Sequence, residues 1–139
     1  MASDDHPPCR VFLVEDNLLL QQELTTTLEE LAPVTVVGTA TGSSEACAWM
    51  DAREQACDVA IVDLFLASGS GIDVLRHMAK YAHPPQRFVL TNYASPDVHK
   101  QCLALGASAV FDKSTQLEDL LWTLEAVARG SELELPRSR

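Results

Sequence analysis

Asp63, Glu15 and Asp16 are the residues whose types and placing could do chemistry. Asp63 ends the run Asp58-Val-Ala-Ile-Val-Asp63, and Glu15-Asp16 follow the run Arg10-Val-Phe-Leu-Val14. Both runs have strand character and stop at carboxylates. If they are neighbouring strands of one parallel sheet, three carboxylates meet at its carboxyl-terminal edge, where open α/β sheets bind ligands. Such a cluster repels itself unless a cation enters it, which predicts a hard divalent metal with oxygen ligands. Singly, Glu15-Asp16 reads as a solvated loop and Asp63 as a helix cap. The chemistry lies in the set.

Two more residues fall at strand ends: Thr91 closes Phe88-Val-Leu90, and Lys113 follows Val110-Phe-Asp112. In a five-stranded sheet of order 2-1-3-4-5, strands one, three, four and five end around one crevice. A phosphoryl group needs a nucleophilic oxygen, a metal to bridge it and donors for its equatorial oxygens. Glu15, Asp16, Asp63, Thr91 and Lys113 supply all three. No Gly-rich nucleotide loop accompanies them.

The elements that must position this set are legible by pattern. Strands are expected at Val11–Val14, Thr35–Gly38, Val59–Asp63, Arg87–Thr91 and Ala109–Phe111, each gap having room for one helix. Such spacing marks βαβ units with right-handed crossovers. Ala60-Ile-Val62 lacks polar alternation, which suits a sheet covered on both faces. Leu20, Leu24, Leu28 and Leu31 form one helical stripe; Leu117, Leu120, Leu121, Leu124 and Val127 or Ala128 form another. Thr115 with Glu118 is a capping-box signature, and Ser95-Pro96 suits an N-cap with proline in the first turn. Gly106 and Gly130 fall where helices end, and Trp49 and Met50 read as core residues of the second helix.

The chain has 139 residues, 47% hydrophobic and 22% charged, as expected for one globular domain. A net charge of −10 argues against direct nucleic-acid binding, which needs a basic stripe. No apolar run approaches a membrane span, and the acidic start is unlike a secretory signal or transit peptide. Cys9, Cys47, Cys57 and Cys102 show neither CxxC spacing nor a disulfide framework. They read as buried or half-buried thiols of a reducing cytoplasm rather than metal ligands. His77, His83 and His99 read as solvated surface, and His6 sits in the N-terminal arm. Residues 1–9 are expected to be a flexible arm, 10–129 the domain and 130–139 a short tail.

From Val11 to about Arg129 the sequence resembles a bacterial response-regulator receiver domain. The matching residues are Glu15-Asp16 in Val-Glu-Asp-Asn, Asp63 in Ile-Val-Asp-Leu and Gly71 in Gly-Ser-Gly-Ile-Asp-Val-Leu. Thr91 after an apolar strand and Lys113 after Gly106-Ala match too. The resemblance implies a doubly wound α/β sandwich of flavodoxin-like topology, with a parallel sheet of order 2-1-3-4-5. It implies a switch in which Asp63 accepts a phosphoryl group from a histidine kinase or phosphotransfer protein. Mg²⁺ would be held by Asp16, Asp63 and the Phe65 carbonyl, with Glu15 acting through water. Thr91 would bond a phosphoryl oxygen, and Lys113 would pair with Asp63 and then with the phosphoryl. Such a protein catalyses only its own phosphorylation and dephosphorylation. It signals by protein contact with a downstream effector, or as a homodimer through the fourth helix, fifth strand and fifth helix.

Three positions depart from the family pattern. Val110 stands where the family usually has Tyr or Phe, which leaves Phe111 or Tyr93 as possible substitutes. Ser114 stands where it has proline, and Asn92 where it has a small residue. Phe65 and Tyr93 lie two residues beyond Asp63 and Thr91, flanking the path of attacking water, and are expected to slow acyl-phosphate hydrolysis. Trp122 points away from the last stripe, towards a partner or the tail. A flavin carrier on this fold would need a phosphate loop where Glu15-Asp16-Asn17 stands. A phosphatase of the aspartate-nucleophile kind would carry its nucleophile after the first strand. Other readings are a receiver cut from a longer regulator and a phosphorylation-independent binding module.

Overall fold

The central strands are mainly apolar on both faces, and both faces are covered. The computed structural model describes residues 7–130. In chain order these form β1 (Cys9–Val14), α1 (Leu18–Leu31), β2 (Val34–Ala40), α2 (Ser43–Ala52) and β3 (Val59–Val62). There follow α3 (Gly71–Met78), β4 (Gln86–Thr91), α4 (Pro96–Ala104), β5 (Ala109–Asp112) and α5 (Leu117–Ala128). All neighbouring strands are parallel, in the order β2-β1-β3-β4-β5. Alternate side chains serve opposite cores. Val11, Leu13, Val59, Ile61, Phe88 and Phe111 pack with Leu24 and Leu28 of α1 and Leu120 and Leu124 of α5. Phe12, Val14, Ala60 and Val62 pack with Ala46 and Met50 of α2 and Val74 and Met78 of α3. That alternation explains why β3, and β1 from Val11 to Val14, are wholly apolar rather than half polar.

Several expectations shift in detail. β1 begins at Cys9, which is buried, so the arm expected over residues 1–9 ends sooner. Residues 1–6 of that arm, with His6, and the tail beyond Gly130 lie outside the described residues. The α1 stripe uses Leu24 and Leu28, but Leu31 is 65% exposed and Gln21 is buried instead. The Gln21 amide donates to the carbonyls of Glu15 (3.0 Å) and Ala40 (3.2 Å), satisfying the ends of β1 and β2. The capping box at Thr115 does not form. Gln116 is the N-cap of α5 without a side-chain cap, because its Oε1 accepts from the Asp112 N–H at 2.9 Å to close the preceding turn. Ser95 does cap α4, its hydroxyl accepting from the Val98 N–H at 3.2 Å. Gly106 and Gly130 take the left-handed φ of +101° and +74° that end α4 and α5.

Met50 is core, whereas Trp49 is half-buried with its ring stacked on Phe12 at 4.2 Å. His77 is not merely solvated: its Nε2 lies 2.8 Å from the Asp51 carboxylate, which also accepts from Tyr81. Asp51 is on α2 and His77 on α3, so no short spacing reveals the pair. Among the described residues, no helix is long and apolar enough to cross a membrane.

Candidate functional site

Parallel pairing brings the strand ends together. Val14 aligns with Val62 and Thr91 with Asp112, so the residues just beyond β1, β3 and β5 share one edge. Asp63 follows the buried β3, its N–H bonded to the Val14 carbonyl at 3.1 Å. Lys113 follows β5, its N–H bonded to the Thr91 carbonyl at 2.9 Å. Gly71, the first residue of α3, lies against the Asp63 backbone. A Cβ there would meet the Asp63 carbonyl oxygen at 2.2 Å, so only glycine lets α3 approach so closely.

Carboxylate oxygens of Glu15, Asp16 and Asp63 lie within 4.8 Å of one another. The Lys113 ammonium donates to Asp63 Oδ2 at 2.8 Å and to Glu15 Oε1 at 2.6 Å. Burial pulls the Lys113 pKa down, but hydrogen bonds and charge from Asp63 and Glu15 outweigh it and raise it above its usual value. The Lys113–Asp63 pair is the expected one. The Lys113–Glu15 bond was not anticipated, since Glu15 was expected to act through water; it sits almost wholly buried on the ammonium. Glu15 Oε2 accepts from the Asn17 N–H at 3.0 Å. Asp16 Oδ2 accepts from the Ala67 N–H at 2.6 Å, tying the β1 end to the β3–α3 loop. One ammonium among three carboxylates leaves an anionic excess of hard oxygen donors. That donor set fits a divalent cation such as Mg²⁺.

Asp63 and Thr91 are flanked alike. Asp63 Oδ1 accepts from the Phe65 N–H, and Thr91 Oγ1 accepts from the Tyr93 N–H, both at 3.3 Å. The two rings meet edge to face, centroids 4.7 Å apart, and both are exposed. Val110 is buried in the cluster with Leu75, Val89 and Cys102. Phe111 is buried on the opposite face, edge-on to Phe88 at 5.9 Å, so it does not stand in for the missing ring. The structure brings every predicted residue to one edge: Glu15, Asp16, Asp63, Phe65, Thr91 and Lys113. Among the cysteines, Cys9, Cys57 and Cys102 are buried and Cys47 is half-buried, all as free thiols.

The model of the response regulator receiver domain matches residues 11–125, and the chain belongs to that family. It is 28% identical over 127 residues to the transcriptional regulatory protein YdfI of Bacillus subtilis, covering 91% of this chain and 58% of YdfI. It is 29% identical over 124 residues to the DNA-binding transcriptional activator DevR/DosR of Mycobacterium tuberculosis, covering 89% and 56%. The chain thus spans little more than half the length of these relatives. Among solved structures, a LuxR-family two-component response regulator from Aurantimonas sp. SI85-9A1 aligns with a TM-score of 0.79 at 24% identity, over 93% of this chain and 91% of that one. A chain of the CheX–CheY–BeF3–Mg²⁺ complex from Borrelia burgdorferi aligns with a TM-score of 0.79 at 19% identity, over 91% and 94%. These likenesses show the five-stranded receiver fold. The chain therefore folds as a receiver domain of the two-component response-regulator class.

Proposed function

We propose that the chain is a phosphorylation-controlled switch in which Asp63 accepts a phosphoryl group from a phosphohistidine of a histidine kinase or phosphotransfer protein. The observation that carries this reading is the position of the Asp63 carboxylate. One oxygen is held by Lys113, and among the described residues the other has only a 3.3 Å bond from the Phe65 N–H. An Asp63 oxygen attacks the phosphorus; the O–P bond forms, the P–N bond breaks, and the leaving imidazole takes a proton. Asp16, Asp63 and the Phe65 carbonyl would hold Mg²⁺, with Glu15 acting through water; the ion, when bound, neutralises phosphoryl charge. Lys113 turns from Asp63 to the new phosphoryl group. Thr91 exchanges the Tyr93 N–H for a phosphoryl oxygen, drawing the β4–α4 loop inward. Water later attacks the phosphorus and regenerates the carboxylate, and the Phe65–Tyr93 pair screens that path.

Output runs by protein contact through α4, β5 and α5, where Leu103 and Trp122 are exposed, towards an effector protein or a second copy in the cytoplasm. The span of little more than half of its relatives supports a second reading, that an effector segment belongs to the same protein. The placing of Val110 supports a third, a binding module that ignores phosphorylation. Backbone NMR with Mg²⁺ and beryllofluoride tests the first reading. Shifts centred on Asp63, Thr91 and Lys113 and spreading to α4 are expected; an unchanged spectrum favours the third.

A further inference from the structure

The end of the sheet opposite Asp63 carries chemistry that the phosphoryl account leaves unused. Cys57 sits just before β3, beside a cavity of about 150 Å³ lined by Met50, Glu54, Gln55, Cys57, Tyr81 and His83, among others. Met50 and Cys57 are buried at 2% and 6% exposure, and their sulfurs lie 3.9 Å apart. His83 and Glu54 are exposed, so the cavity reaches solvent. The cysteine spacing argued against sulfur ligation, but the fold gives Cys57 partners that no short spacing reveals.

We propose that this cavity binds a soft monovalent metal ion of the Cu(I) type through the Cys57 thiolate, the Met50 thioether and the His83 imidazole. Thiolate and thioether select Cu(I), while the oxygen-rich edge around Asp63 selects hard cations. Two sulfurs roughly 2.3 Å from one ion at a tetrahedral angle stand about 3.8 Å apart, which the pair matches without backbone movement. Packing alone can bring two sulfurs this close, but it leaves unexplained the open cavity beside them, with His83 among its lining residues. Burial, aided by the Asp58 charge, pushes the Cys57 thiol up to about 11, so the empty site holds a protonated thiol. On binding, the S–H bond breaks, a sulfur–metal bond forms and the proton leaves to water. The metal stays monovalent throughout.

Titrating the full chain with Cu(I) against bicinchoninate, without oxygen, tests the site. One Cu(I) per chain should leave the chelator, with sulfur and nitrogen neighbours in X-ray absorption. Cys57→Ser should weaken binding about a hundredfold or more, at or beyond the upper end of the roughly tenfold to hundredfold typical of outer-shell partners. His83→Ala, at an exposed position that leaves the fold intact, should remove the nitrogen neighbour and weaken binding several-fold. Copper left wholly on the chelator would overturn the proposal. So would native affinity in both variants, which would assign the metal to another thiol.

Discussion

At the carboxyl-terminal edge of the sheet, Lys113 lies 2.6 Å from Glu15 and 2.8 Å from Asp63, with side chains only 12%, 3% and 9% exposed. At the opposite edge Arg10 grips Asp58, Nη2 to Oδ1 at 2.9 Å and Nε to Oδ2 at 3.3 Å, with side chains 47% and 42% exposed. The contacts are similar, yet the Arg10 pair is balanced and solvated, and its Asp58 also accepts the Arg10 N–H at 2.9 Å. The Lys113 cluster is largely buried and carries two more acids than bases. Solvated, balanced charges hold strands in place at little cost. Buried, unbalanced ones are poor at stabilising and suited to recruiting a cation and a phosphoryl group.

Removing the cation from each pair should separate the two ends most sharply. Lys113→Met strands two buried carboxylates and should cost about 3–5 kcal/mol of unfolding free energy without metal. Arg10→Met should cost about 1 kcal/mol or less. Urea unfolding of both variants checks this, and equal losses would erase the distinction. Among the described residues no ammonium pairs with Asp16, so Asp16→Asn should stabilise the metal-free protein by roughly 1–2 kcal/mol. That is part of the ~4 kcal/mol that two charges at 4 Å exchange at an effective dielectric near 20. Mg²⁺ should raise the melting temperature of the native protein, and the same variant should lose that rise.

The two ends should also fail at opposite pH limits. Lys113 titrates above its ordinary 10.5 in the folded state, because Asp63 and Glu15 outweigh its burial. Its contribution is complete below 10.5 and disappears as pH rises through the folded value. Asp58 is held below its ordinary 3.8, chiefly by the Arg10 side-chain hydrogen bond. Its smaller contribution is present above 3.8 and disappears as pH falls. Lys113→Met should flatten the alkaline limb of stability alone, and Arg10→Met the acid limb alone. The smallest effect concerns the Phe65–Tyr93 ring pair that follows Asp63 and Thr91. Phe65→Asn with Tyr93→Ala should shorten the acyl-phosphate half-life several-fold, and a half-life no shorter than that of the native protein would remove the screening role.

Legibility in the sequence differs between the same two ends. The acids, Thr91 and Lys113 were readable because each terminates an apolar run, and parallel strands gather their ends whatever the loops do. The five strands followed from runs such as Val59–Val62, with no bound off by more than two residues. What stayed hidden depends on distant partners. Gln21 is buried because two strand-end carbonyls need donors, although its neighbours suggested an all-leucine stripe. Thr115 failed to cap because Asp112 and Gln116 close the turn between themselves. Asp51 with His77, Glu15 with Lys113, and Cys57 with Met50 meet only across packed elements, so no local period announces them.

The central claim is that Asp63 is the acceptor in a cluster poised by Lys113. Intact mass after incubation with a small-molecule phosphodonor and Mg²⁺ tests it most directly. The native protein should gain the mass of one phosphoryl group, and Asp63→Asn should gain none under the same conditions. Equal labelling of both proteins, or none of the native chain with Mg²⁺ in excess, would contradict it.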